Sequence, residues 1–341
     1  MRELFFLLAF VLPSVLSAQT QASSPLVLIQ TVEIPGIPEG HRTDHLGVDL
    51  KGHRLFTTMQ EAHEVVVIDL DTGKIIHKIP AVNPHAVVYR SDLDRVYVSD
   101  DDPVQPGLKI FSGRDYQLIK SVGLLKRTDS MAYDSTTKYL YIVNGGKAAN
   151  LEYSLVSIVD STTGERIGDI KISAATLEDM DLETAGPRLY IAATDEKRVI
   201  VADRQKRNVL ETWQITHGGP VATAVDEAHH LVFVGCRSGQ MHGDVVVLDT
   251  RTGKEIATMP IGGLLDYMAF DPQSGRIYAV CSDGFVYVYG ENTSDQYVLL
   301  GKIETAFFAR TGLLVTELNR FYVVSPNTGL RSAQLLVFQV Q

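Results

Sequence analysis

The chain has 341 residues, 45% of them hydrophobic and 21% charged, which is enough apolar material for a sizeable core. Its net charge of −10 repels phosphate backbones and anionic lipid surfaces, so neither nucleic acid nor a membrane surface is an expected partner. With only two cysteines a disulfide-built scaffold is excluded, and no Cys-x-x-Cys-His run is present for covalent haem attachment.

The chain opens with Arg2 and an apolar run over 4–16, broken at Pro13 and followed by the small pair Ser17-Ala18. That pattern predicts a secretory signal peptide over 1–18, too short to span a bilayer. The mature chain is therefore expected in the periplasm or outside the cell. No later stretch is long and apolar enough to cross a membrane. Residues 19–341 carry no linker, low-complexity tract or change of period, and are read as one domain.

A strand is predicted at 27–34. A repeating unit then begins near Arg42 with His45-Leu46-Gly47-Val48, continues through Leu55-Phe56, and reaches a third strand at 65–69. Asp69-Leu70-Asp71-Thr72-Gly73-Lys74 turns the chain into a fourth strand at 75–79. The same turn returns after 156–160 with Thr163-Gly164 and after 245–249 with Thr252-Gly253. Period-2 alternation rich in β-branched and aromatic residues reads as strand. Asp at the start and Gly at the end read as tight, structural turns. Further units are placed at about 85–122, 129–172, 178–215, 221–261 and 266–303. A last unit starts near Arg310 and holds three strands.

Each unit has one aromatic at the same place: Phe56, Tyr97, Tyr141, Tyr190, Phe233, Tyr278 and Tyr322. Their spacing of roughly 40 to 50 residues is the period of a four-stranded propeller blade. The fold expected is an all-β, seven-bladed propeller. The strand at 27–34 supplies the missing fourth strand of the last blade and closes the ring, so deleting 26–34 should unfold or aggregate the protein. Cys236 and Cys281 occupy equivalent places in neighbouring blades. They are expected about 10 Å apart, too far for a disulfide, and are read as small buried residues.

These repeats resemble the secreted bacterial YncE-like, YVTN-type β-propeller family. The residues that carry the likeness are 42–49 (Arg-Thr-Asp-His-Leu-Gly-Val-Asp), the second-strand repeats Arg95-Val96-Tyr97-Val98 and Arg276-Ile277-Tyr278-Ala279, and the Asp-x-x-Thr-Gly turns. The segments 309–313 and 317–322 near the C-terminus add to it. The resemblance implies the fold and export. It covers propellers of many functions, lactonases, quinoproteins and DNA binders among their relatives, so it does not choose a chemistry.

Stepping back twelve residues from each aromatic reaches the start of the innermost strand: Asp44, His85, Asp129, Glu178, Val221, Asp266 and Arg310. Six of these seven are ionisable. Four residues further on, the column Val48, Tyr89, Tyr133, Leu182, Val225, Phe270 and Leu314 carries no charge. A polar ring at one mouth of the central channel follows. With His45 and Arg42 it forms the candidate ligand-binding set. Four converging carboxylates need a counter-charge. Arg310 is the internal candidate, and a divalent cation such as Ca²⁺ held by Asp44, Asp129, Glu178 and Asp266 is the external one.

Three functions fit. The first is a monomeric binding module for a small polar ligand, a cation or an extracytoplasmic protein. The second is a lactonase-type metal-assisted hydrolase with His85 as base. The third is a structural envelope protein. Asp100-Asp101-Asp102, His63, His242, and the loop Asn144-Gly145-Gly146-Lys147 are read as surface features. Trp213 is the only tryptophan, so the repeated docking tryptophans of quinoproteins are lacking and no pyrroloquinoline cofactor is expected.

Overall fold

Runs of six or seven residues rich in Val, Ile and Tyr, bounded by Asp, Gly and Asn, form strands because branched side chains pack on a pleated surface. The computed structural model describes residues 24–293 and 295–341. The predicted signal peptide lies outside the described residues. Among the latter, 28 strands form seven antiparallel sheets of four, and in six of the sheets each strand is bonded to its neighbour in sequence. Blade one is Thr43–Asp49, Arg54–Met59, Glu64–Asp69 and Ile75–Pro80. The inner strands of blades two to six are Pro84–Arg90, Met131–Asp134, Leu177–Leu182, Gly219–Asp226 and Tyr267–Asp271. No helix among the described residues is long and apolar enough to cross a membrane.

Blade seven holds Thr311–Val315, Arg320–Ser325 and Gln334–Val340, and its outer strand is Leu26–Glu33. The closing pair is antiparallel, with Leu26 opposite Val340 and Glu33 opposite Gln334. Inner strands lie side by side around the ring, and that of blade seven returns to that of blade one. The chain is a closed seven-bladed propeller.

The aromatic column forms the floor between blades. All seven rings are buried, none more than 2% exposed. Tyr278 stacks on Phe321 of the next blade with centroids 5.1 Å apart, and Phe56 on Tyr89 at 5.6 Å. Burial of such a side chain contributes about 1.5–3 kcal/mol.

The Asp-x-x-Thr-Gly turns close as expected. The Gly73 N–H donates to the Asp69 carbonyl at 2.8 Å, and the Thr72 N–H donates to Asp69 Oδ1 at 2.7 Å. Gly73 has φ +67°, a conformation glycine adopts without strain. Asp160 and Asp249 repeat the arrangement with Gly164 and Gly253. Cys236 and Cys281 are buried and unpaired.

Candidate functional site

The seven predicted positions surround one cavity at the mouth of the channel, of about 270 Å³. A backbone irregularity recurs in four of the seven blades. The inner strands of blades one, two, four and five each carry one extra residue against the second strand, between 43 and 46, 84 and 86, 177 and 180, and 220 and 222. A bulge re-aims side chains and breaks strict alternation. In blades one, three and four, consecutive residues face the cavity, Asp44 with His45, Asp129 with Ser130 and Glu178 with Asp179. In blades three, six and seven the column residue stands just before the strand.

The charges form two chains of contacts, and every link but Arg127–Asp129 crosses a blade boundary. In the first, His85 Nδ1 lies 2.8 Å from Asp44 Oδ2 and 3.2 Å from Asp129 Oδ1. Arg127 continues it, 3.4 Å from Asp129 Oδ2 and 2.6 Å from Glu178 Oε1. In the second, Asp266 is gripped by Arg237 and by Arg310, whose Nε is 2.8 Å from Asp266 Oδ2. The two chains are interrupted at Val221, the apolar member of the column. At the other junction, between blades seven and one, Thr43 and Thr311 hydroxyls meet at 3.2 Å instead. Below the mouth the channel widens to a cavity of about 400 Å³ that shares His45 and Asp179 and adds Asp181, Thr223 and Tyr267.

Known proteins agree with this architecture. Two curated relatives, from Salmonella typhi and Salmonella typhimurium and each called uncharacterized protein YncE, are 31% and 30% identical to the chain over 98 residues. Over that stretch the chain resembles YncE, and its fold is a seven-bladed β-propeller. The match spans 29% of the chain and 27% of each relative's length. No family model matches. Among solved structures, a chain of the mitotic checkpoint complex superposes with a TM-score of 0.72 at 13% identity, covering 100% of this chain and 99% of that one. The RRP9 WD40 repeats superpose with a TM-score of 0.72 at 11% identity, covering 94% and 98%. Both likenesses show the fold alone.

Electrostatics in this propeller follow from the two chains of charge. Burial disfavours the His85 imidazolium, but Asp129 and Asp44 outweigh it and raise its pKa well above the ordinary value. Burial likewise works against the Asp129 carboxylate. His85 and Arg127 overcome it, and Asp129 stays ionised far below the usual range. Glu178 goes the other way: burial, opposed by Arg127 and reinforced by Asp129 and Asp266, pushes its pKa up to about 7.

The metal set read from the sequence is divided by the fold. Asp44 and Asp129 share a cluster with His85, whereas Glu178 and Asp266 are held by arginines. His85 sits between two carboxylates and does not stand apart as a base beside four. Arg310 neutralises Asp266, and Arg42, at the exposed rim, is bound by Glu61 at 3.0 Å.

The acidic run is spent on backbone. Asp100 accepts the Asn83 N–H at 2.7 Å, Asp101 the Arg127 N–H at 2.6 Å and Asp102 the Val104 N–H at 2.8 Å. Asn144 is buried against Ser157, and Lys147 pairs with Asp195.

Arg127, Arg237, Gln60, Ser130 and Asp179 line the cavity but were not among the candidates from the sequence. A signal existed. Gln60 and Arg237 both lie four residues after the aromatic, Arg127 shares a register with Arg42 and Asn83, and Asp179 shares one with His45 and Ser130.

Proposed function

We propose that this YncE-like propeller is an exported binding module whose channel mouth takes a small polar molecule carrying both an acceptor and a donor group. The observation that carries this reading is the convergence of all seven strand starts on one cavity lined by both signs of charge. Arg127, Arg237 and Arg310 supply donors. Asp44 and Asp129 supply acceptors. Cofactor and ligand pockets pair enclosure with a few convergent polar groups in this way.

Thermal unfolding of the purified protein with glycine, lactate, glucose and glucuronate tests it. At least one probe is expected to raise the midpoint, and Arg310→Gln is expected to abolish the shift. No shift with any probe, or a shift that survives Arg310→Gln, overturns the reading. Export rests on residues 1–18 and is checked by the N-terminus of protein recovered from the cell envelope. A start near Gln19 supports it, and an intact Met1 in the cytosol counts against it.

That five ion pairs at the mouth join neighbouring blades favours a second reading, in which the ring locks the blades of an envelope-interaction protein. Under it, Asp266→Asn lowers stability and leaves any probe-induced shift unchanged.

A further inference from the structure

The three groups at the head of the first charge chain are arranged unlike the others. Asp44, His85 and Asp129 each offer one donor atom, and these atoms lie within 4.8 Å of one another. The two measured separations from His85 Nδ1 are 2.8 and 3.2 Å. Donors bound to one ion at about 2.1 Å stand about 3.0 Å apart at an octahedral edge and about 3.4 Å at a tetrahedral one. The spacing therefore fits an ion the size of Zn²⁺, Mn²⁺ or Fe²⁺. Ca²⁺ needs six to eight oxygens at longer distances.

The surrounding groups hold these donors in place. Asp44 presents Oδ2 to the cluster while its Oδ1 accepts the His45 N–H at 2.9 Å. Asp129 presents Oδ1 while Oδ2 faces Arg127 at 3.4 Å. His85 presents Nδ1 while its far nitrogen, Nε2, lies 3.1 Å from Asn83 Nδ2. Turning the Asn83 amide gives the Nε2–H an oxygen and leaves Nδ1 to bind metal, its proton released to solvent on binding. Each prospective ligand thus has one donor turned inward and its other polar atom engaged, as outer-shell partners orient metal ligands.

Gln60 adds an independent observation. It is 3% exposed, yet its carboxamide is aimed at the cluster, 3.1 Å from His85 Nδ1 and 3.4 Å from Asp44 Oδ2. Rotating the amide by half a turn offers its oxygen as a fourth donor. The three ligands come from blades one, two and three, on the rigid inner ring. The remaining coordination positions open to the cavity.

We infer that Asp44, His85 and Asp129, with Gln60 beside them, form a site for a divalent transition metal. Imidazole with two carboxylates and open positions selects such ions over Ca²⁺ and Mg²⁺. Glu178 and Asp266, each already bound to arginine, are not ligands. The site shares the cavity of the proposed binding reading and does not depend on it.

Calorimetric titration of chelator-stripped, dialysed protein with Zn²⁺ and Mn²⁺ tests this, and Co²⁺ provides a visible spectrum that reports nitrogen and oxygen ligation. One equivalent is expected. Asp129→Asn and His85→Gln should weaken binding at least a hundredfold and remove the cobalt bands, while Glu178→Gln and Asp266→Asn keep both. If His85→Gln fails to fold, Asn83→Ala, which touches no metal, should weaken binding about tenfold. Absence of stoichiometric binding overturns the site, as does binding indifferent to Asp129→Asn. Loss in Glu178→Gln and Asp266→Asn as deep as in Asp129→Asn moves the ion to the wider carboxylate ring and overturns it too. A probe that binds the chelated protein with no metal uptake sinks the metal site alone. Metal uptake with no probe bound sinks the small-ligand reading alone.

Discussion

At the scale of residues, the channel keeps carboxylates where water is scarce, and their cost depends on pH. Asp181 lines the channel and accepts the Val225 N–H at 2.9 Å and the Leu182 N–H at 2.8 Å. Burial outweighs those bonds and raises its pKa to about 6. In an unfolded chain the same group titrates near about 3.9. The folded state therefore holds the proton more tightly, and stability falls as pH rises from about 4 to about 6. Asp181→Asn carries no charge but keeps one oxygen, so one of the two N–H groups loses its acceptor at every pH. The change in stability should be about 1 kcal/mol more favourable at pH 8 than at pH 4, discounted for channel water. Urea midpoints of the two proteins at both pH values decide this, and equal changes at both would refute it. Asp134 is the opposite case. It is 3.1 Å from Arg204 with both side chains nearly sealed from solvent. Asp134→Ala leaves that guanidinium buried without its counter-charge and should cost about 3 kcal/mol in the same measurement.

At the scale of elements, the outer strand Leu26–Glu33 pairs along its length with Gln334–Val340, with one bulge between Leu28 and Gln30. Its Leu26 and Val32 are buried while Val27, Leu28 and Ile29 are about half exposed. Removing it uncovers Phe338 and Leu336, and a free strand edge invites pairing with other chains. Deletion of 26–33 should give aggregated protein in size-exclusion chromatography, and a monomeric, folded product would count against the closure. This closure was legible from the sequence because blade seven ran out of strands while an orphan apolar run stood at the other end. The level of the polar ring was legible for a similar reason: one register, counted from a buried aromatic, repeats in every blade. What a period-2 reading misses is the bulge, since it places His45 and Asp179 on the wrong face. It also misses pairing. Which carboxylate meets an arginine is settled by Arg127 and Arg237, which reach the cavity from a connecting loop and from the end of a second strand, outside the register that was counted.

At the scale of the whole molecule, the seven blade boundaries are not fastened alike. Boundaries one to two, two to three, three to four, five to six and six to seven carry the ion pairs of the mouth. Between four and five, carboxylates accept from backbone N–H groups, Asp181 from Val225 and Glu227 from Gly186. The boundary from seven to one has the threonine pair, a shared apolar cluster including Val32, Leu46, Leu55, Val315 and Tyr322, and the covalent run from Glu33 to Thr43. That covalent run acts as a tether across the ring, and its contribution can be isolated. The Gln341 N–H donates to the Pro25 carbonyl at 3.1 Å, so the chain ends described here lie together. A circular permutant that joins Gln341 to Pro25 and starts at Thr43 keeps every strand and every pair. It removes only the link across the last boundary. Loop-closure entropy predicts a loss on the order of 3 kcal/mol, with the fold and its cooperativity intact. Opening the chain instead between Ile215 and Gly219, with the same new junction, cuts a boundary fastened by carboxylate-to-backbone hydrogen bonds and should cost less. Denaturant unfolding of the two permutants gives the comparison. Equal stabilities would mean that ring closure rests on side-chain packing alone, with no role for the tether.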